Sequence, residues 1–302
     1  MGVMFRPVRE IDERHGVFVG LSGGTNSGKS FSALRLATGL AGGRRVGVCD
    51  TEGGRTHHLK STFDFDVFDF DPPHRPDRYA TIARDAEDAG LGALVIDSFS
   101  MEWVGIGGVL DWQAEEFQRM GSQEKNKLAS WIKPKVAHKA MVYSFLQRRI
   151  PIVFAMRAEE KTKKVGSDVK AEWAPICSKT FPFELTVSFM LTQNAQGIID
   201  LSLPHKMEGA HRGIFQDGEQ IGEKHGQMLA EWSRGADQPE DPKARAWLNV
   251  LLGELASVPT PEGLQALEAR AKKGLPRITA AMRAEWEGAA LEARQRVHAE
   301  ET

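Results

Sequence analysis

Short apolar runs alternate with longer stretches of helical spacing from residue 17 to about residue 234, the pattern of an α/β domain built on a mostly parallel sheet flanked by helices. Strands are expected at Val17 to Leu21, Arg45 to Cys49, Val67 to Phe70, Ala93 to Ile96, Ile150 to Met156, Leu185 to Leu191 and Ile198 to Leu203. Helices are expected at Phe31 to Leu40 and Asp77 to Ala89, with two or three more between Leu110 and Gln147. After Trp232 the chain turns polar and carries Gly and Pro, which marks residues 235–241 as a linker. Beyond it Pro242 to Val258, Pro261 to Lys273 and Pro276 to Ala299 show helical apolar spacing, with Thr260 as an N-cap and Pro261 at the first helical position. The expected organisation is a core over 1–234 and a small α-helical annex over 242–302.

Between the first strand and the first helix lies Gly23-Gly24-Thr25-Asn26-Ser27-Gly28-Lys29-Ser30, followed by Phe31. It matches G-x-x-x-x-G-K-[ST] in the strand-to-helix setting that this phosphate loop requires. Glycines let backbone N–H groups turn inward and approach phosphate oxygens closely, at the positive end of the following helix. Lys29 is expected to neutralise the β- and γ-phosphates and Ser30 to ligate magnesium. Asp97, closing the apolar run Leu94-Val-Ile-Asp97, is the carboxylate expected to complete the metal shell, on a strand beside that of the loop. No N-K-x-D element for reading guanine is present, so the expected ligand is ATP with Mg2+.

The segment Arg45-Val-Gly-Val-Cys-Asp50-Thr-Glu52-Gly-Gly-Arg55 brings two more carboxylates to the end of the second strand. Asp-Thr-Glu-Gly at this distance from the phosphate loop resembles the RecA and RadA recombinases, and the resemblance implies that Glu52 activates the attacking water. Pro151-Ile-Val-Phe-Ala-Met-Arg157 resembles the strand that ends in a γ-phosphate-sensing polar residue in RecA, usually Gln, with Arg157 in that place. Ile199-Asp-Leu-Ser-Leu-Pro-His-Lys206-Met-Glu208-Gly-Ala-His-Arg212 is similar to the late strand of RecA-like motors such as DnaB. Lys206, or more loosely Arg212, would then reach a neighbouring subunit's nucleotide, which implies self-association into a ring or filament.

The stretch Asp97-Ser-Phe-Ser-Met-Glu102-Trp103, with Trp131-Ile-Lys-Pro134 and Phe154-Ala-Met-Arg157-Ala-Glu-Glu-Lys161, is similar to phage-encoded AAA-type ATP-binding proteins with a shortened RecA-like core. One branch of these comprises RecA-like single-strand annealing proteins. The likeness covers roughly residues 17 to 234 and implies a Mg-dependent ATPase acting on single-stranded DNA in recombination or replication. It leaves two other readings open, a hexameric nucleic-acid motor and a nucleotide-switched interaction module with little turnover.

Composition narrows these choices only in part. A chain of 302 residues, 41% apolar and 26% charged, can bury one α/β core and support an appendage. The formal net charge of −2 requires any nucleic-acid contact to come from a local patch. Lys125 to Ala158 contains no Asp or Glu but holds Lys125, Lys127, Lys133, Lys135, Lys139, Arg148 and Arg149, with Trp131 and Tyr143 interleaved. A second basic stretch, read as a polar loop, carries Lys161, Lys163, Lys164 and Lys170. Glu102 and Trp103 are placed in a Gly-rich loop after Asp97, with a water contact open to Glu102, and His138 is read as a surface or core residue. Cys49 and Cys177 have no metal-like spacing and are expected as buried or half-buried thiols. No apolar run of eighteen residues occurs, and Met1 to Arg14 lacks the apolar centre of a signal peptide. A cytoplasmic protein without a membrane partner is therefore expected, with the C-terminal helices as a docking element for a recombination or replication protein of phage or host.

Overall fold

The computed structural model describes residues 16–165, 168–233, 242–272 and 280–299. Two compact units divide between Arg234 and Gly235. The first unit contains strands β1 (Phe18–Gly23), β2 (Val46–Asp50), β3 (Phe65–Asp69), β4 (Ala93–Asp97), β5 (Ile152–Val165), β6 (Asp168–Pro175), β7 (Val187–Leu191) and β8 (His205–Lys206). Its helices are α1 (Lys29–Ala41), α2 (Pro76–Asp88), α3 (Ser100–Val104), α4 (Val109–Arg119), α5 (Ile132–Leu146) and α6 (Glu223–Ser233). The sheet runs β3-β2-β4-β5-β1-β7-β8. Pairs from β3 through β7 along this path are parallel, whereas β8 runs antiparallel to β7 and β6 antiparallel to β5.

Alternation along the strands builds two separate apolar layers, because successive side chains leave opposite faces of a sheet. Val17, Val19, Leu21, Val48, Val95 and Val153 pack with Leu34, Leu36 and Leu229 of α1 and α6. The opposite parity, including Phe18, Cys49, Ile96, Phe154 and Met156, packs with Tyr79 of α2 and Met141 and Phe145 of α5. Helices α1 and α6 approach backbone to backbone. A Cβ on Gly39 would lie 2.0 Å from the Glu223 carbonyl oxygen, and one on Gly226 would lie 2.1 Å from that of Leu36.

Four expectations need correction. Ile198 to Leu203 holds only a single bridge, Ile198 to Gln220, and turns from Leu201, because the Asp200 carboxylate accepts from the Ser202 N–H (2.9 Å) and hydroxyl and the Asp217 carboxylate takes the Leu201 N–H (2.8 Å). Side-chain acceptors thus capture donors that a strand ladder needs, and the strand beside β7 is His205–Lys206. The strand ending at Asp97 does not adjoin that of the glycine loop, since β5 lies between them. The basic stretch after Arg157 is a hairpin rather than a loop: β5 runs on past the sheet and pairs with β6 from Ala158 opposite Pro175 to Val165 opposite Asp168. Glu102 and Trp103 lie on the short helix α3.

The second unit comprises α7 (Pro242–Ser257), α8 (Pro261–Ala271) and α9 (Ala280–Ala299). Leu248, Leu251, Leu255, Leu264, Leu267, Met282 and Trp286 form its own apolar core. Thr260 caps α8, its hydroxyl accepting the Gly263 N–H at 3.2 Å. The expected linker 235–241 and the helix start at Pro276 fall outside the described residues. Among the described residues no helix is long and apolar enough to cross a membrane.

Candidate nucleotide site

The C-terminal ends of β1, β2 and β4 and the middle of β5 surround a cleft of about 670 Å3. Its walls include Gly23 through Phe31, Asp50, Glu52, Arg55, Asp97 and Arg157. Lys206 and Arg212, expected to reach a neighbouring subunit's nucleotide, lie outside this lining; Lys206 is held within its own chain. Its ammonium donates to the carbonyl oxygens of Phe183, at 2.8 Å, and Leu185.

The loop has the backbone that its glycines and Asn permit. Gly28 has φ of 84° and Asn26 of 59°, both left-handed. A Cβ on Gly28 would lie 2.8 Å from the backbone of Gln196 and Gly197, so only glycine fits there. The turn after β7 clamps the loop from outside: Asn194 N–H donates to the Asn26 carbonyl and Gly197 N–H to that of Ser27, each at 3.0 Å. No side chain caps α1 and its first turn contains no acid. The N–H groups of that turn therefore suit an anion rather than an internal acceptor. Lys29 folds over the loop, its ammonium 3.4 Å from the Gly24 carbonyl oxygen.

Asp97 is buried in the cleft, and Ser30 lines the same cleft close enough to lower its carboxyl. Burial pushes the carboxyl up to about 6, against the pull of Ser30 and the Lys29 charge. A hydroxyl and a carboxylate held together in this way are hard oxygen donors that fit magnesium, whose charge would offset the burial of Asp97. Thr51 fastens the loop after β2 to the end of β4. Its N–H donates to the Asp97 carbonyl at 2.9 Å, and its hydroxyl donates to the Ser98 carbonyl at 2.9 Å while accepting the Ser98 N–H at 2.8 Å.

The two carboxylates after β2 have different positions in the hydrogen-bond network. Asp50 is consumed by its own loop, accepting the N–H groups of Glu52 (2.8 Å), Gly54 (3.3 Å) and Thr56 (2.7 Å) and the Thr56 hydroxyl (2.6 Å). Burial would raise this carboxyl, but the donated bonds hold it below the ordinary aspartate value. Glu52 faces the cleft between two arginines. Its Oε1 accepts from Arg157 Nε at 2.9 Å and Nη2 at 2.7 Å, and its Oε2 accepts from Arg55 Nη1 at 2.8 Å.

Arg157 is seated by the sheet itself. It is the register partner of Gly23, on the neighbouring strand, and its N–H donates to the Ser100 hydroxyl at 2.9 Å. Sequence reasoning gave no role to Arg55, Thr51 or Thr56. The signal was present for the last of these, because an Asp followed by a Gly-Gly pair marks a turn whose N–H groups need an acceptor. Gly53 and Gly54 do adopt φ of 69° and 81°.

Glu102 is not at this site. It is fully buried and contacts His138 Nδ1 at 2.9 Å, which makes His138 a core residue. The basic patch on and around α5 is thinner than its acid-free sequence suggested. Lys127 pairs with Glu124, Lys133 with Glu116 and Arg148 with Glu87, each at 3.1 Å. Apart from the nearby Glu124, these carboxylates come from helices distant in sequence, which a linear charge count cannot see.

No family model matches the chain, and no curated protein matches it. Among solved structures the crystal structure of the RadB recombinase is similar, at 17% sequence identity and a TM-score of 0.32, over 59% of this chain and 76% of that one. The function is therefore argued from the geometry of the cleft.

Proposed function

We propose that this chain is a Mg-dependent ATPase of RecA-like type that acts on single-stranded DNA. The observation that carries the catalytic part is the uncapped glycine loop facing Asp97 and Glu52 in one cleft. Loop N–H groups and Lys29 would hold the phosphates, and Phe31 lies at the rim of the same cleft. Ser30 and Asp97 would hold magnesium, which supplies charge neutralisation for the phosphates when bound. Glu52 would accept the proton of the attacking water. Lys206 would act on a neighbouring subunit's nucleotide only on leaving the two carbonyls of its own chain that it now binds.

The DNA part is supported by the hairpin that grows from Arg157. Lys161, Lys163 and Lys164 lie on β5 and Lys170 on β6, with Lys163 opposite Lys170. The unneutralised part of α5, with Lys135 over the Trp131 ring at 5.2 Å, adds an aromatic and cationic surface. Assembly into a ring or filament, docking through the C-terminal helices and a phage recombination or replication setting belong to the same proposal.

The experiment is equilibrium nucleotide binding with steady-state hydrolysis, using wild type, Lys29→Ala and Glu52→Gln, each with and without single-stranded DNA. Lys29→Ala should lose binding or turnover by at least about a hundredfold. Glu52→Gln should keep ADP affinity within about twofold and lose most hydrolysis, because an amide keeps the shape but cannot take a proton. ATP affinity and turnover near wild type in Lys29→Ala would remove the phosphate assignment. Stimulation of wild-type turnover by DNA supports the DNA part, and negligible turnover in every condition favours a nucleotide-switched interaction module.

A further inference from the structure

We infer that Arg157 is a specificity-determining residue that Glu52 and the terminal phosphate of a nucleoside triphosphate compete for, so that Arg157 supplies the preference for triphosphate over diphosphate and the Glu52 carboxylate limits it. This rests on the nucleotide reading of the cleft. Both oxygens of Glu52 are engaged by guanidinium groups, three charge-assisted bonds between 2.7 and 2.9 Å. A carboxylate in that state has its acceptor positions directed at cations and must give up some of them to receive a proton from water.

The two arginines are not equivalent. Arg55 is three residues from Glu52 on the same loop and is mostly exposed, at 69% of its side chain. Arg157 comes from a different strand, and its Cα lies beside that of Gly23, the first glycine of the loop, at adjacent-strand spacing of about 4.8 Å. Its backbone is fixed by Ser100 and by the Ile176 N–H on its carbonyl at 2.8 Å, so a change of partner needs only side-chain rotation. A further anionic group on the nucleotide would offer the Arg157 guanidinium a second bidentate acceptor within the same cleft. Transfer of Arg157 to that group frees Glu52 Oε1 for water, while Arg55 continues to hold Oε2. A diphosphate lacks this group and leaves the lock closed.

The test is a double-mutant cycle read by binding alone, with AMP-PNP and ADP titrated against wild type, Glu52→Gln, Arg157→Ala and the double variant. Glu52→Gln replaces the anionic partner of Arg157 with a neutral one. It should tighten AMP-PNP by about fivefold, the upper end of the value of a half-exposed ion pair, and leave ADP unchanged. In the Arg157→Ala background the same substitution should have no effect on either nucleotide. Arg157→Lys, which keeps the charge but not the fork, should show a reduced coupling and provides the cycle if Arg157→Ala fails to fold. Equal changes for AMP-PNP and ADP, or a Glu52→Gln effect that survives loss of Arg157, would overturn the competition while leaving the nucleotide site standing. Wild-type protein that binds neither nucleotide would overturn both.

Discussion

At the residue scale the most consequential pair outside the cleft is Glu102 and His138. Glu102 lies wholly inside the α2/α5 layer, and its second oxygen has no hydrogen-bond partner. Burial raises its carboxyl above the ordinary glutamate value, with the His138 hydrogen bond opposing. For an acid whose folded pKa is raised, the stabilising contribution is full below the unfolded value and is lost as pH rises through the folded one. Glu102→Gln keeps the shape and a hydrogen-bonding partner for His138 while removing the buried charge. The gain in melting temperature should therefore be larger at pH 8 than at pH 4, by scanning calorimetry of wild type and variant in matched buffers. A gain that is equal at the two pH values, or a loss at pH 8, would contradict this account. That Gly23 to Ser30, Asp97 and Glu52 line one cleft was legible in the sequence, because the glycine loop and the carboxylates at strand ends follow short spacing rules. Arg55 on Glu52 and Ser100 on Arg157 were not, since neither contact has a spacing rule to betray it.

At the element scale, the contact between α1 and α6 and the hairpin of β5 and β6 make separate demands. Gly39 and Gly226 allow the two helices to cross with backbones touching, and any Cβ on Gly39 meets a carbonyl oxygen rather than a flexible side chain. Gly39→Ala should cost about 2 kcal/mol or more despite the better helix propensity of alanine, since overpacking against backbone outweighs that gain. Urea denaturation measures the change; a stabilised variant would mean that α6 can shift away at little cost. The hairpin makes a prediction about DNA. Each lysine that contacts a phosphate adds about 0.7 to the slope of log affinity against log salt for a single strand. Lys161→Ala/Lys163→Ala/Lys164→Ala should therefore lower the slope by up to about 2 in fluorescence anisotropy titrations. Lys163 and Lys164 account for about 1.4 of this, because Lys161 pairs with Glu159 at 2.9 Å, and Lys133→Ala should change the slope little for the same reason, Lys133 facing Glu116. An unchanged slope in the triple variant would remove the hairpin from the DNA surface. The hairpin itself escaped sequence reading because Glu159-Glu-Lys-Thr-Lys-Lys164 carries charge at odd and even positions alike, so period-two alternation, the usual strand signal, is missing.

At the scale of the whole molecule, each unit has a core of its own. The first is organised on both faces of its sheet, and the second is closed by Leu248, Leu264, Trp286 and their neighbours. A chain ending at Arg234 should thus fold and retain nucleotide binding with a melting temperature within a few degrees of the full protein. Circular dichroism and nucleotide titration of that truncated chain check this, and an insoluble or nucleotide-blind product would show that the first unit depends on the second. The sequence by itself determined the alternation of strands and helices, the glycine loop between β1 and α1, the carboxylate that ends β4 and the presence of three C-terminal helices. All of these follow from local periodicity, turn chemistry or short spacing. Tertiary structure alone decided that β5 separates β1 from β4 and that Glu116 and Glu87, from α4 and α2, pair with Lys133 and Arg148 of the basic patch. It also decided that Glu102 is a core residue and that Arg157 and Arg55 close on Glu52. Each is a meeting of groups far apart in the chain. Strand order and ion-pair partners are chosen by how the apolar layers on the two faces of the sheet pack, and no local pattern encodes that choice.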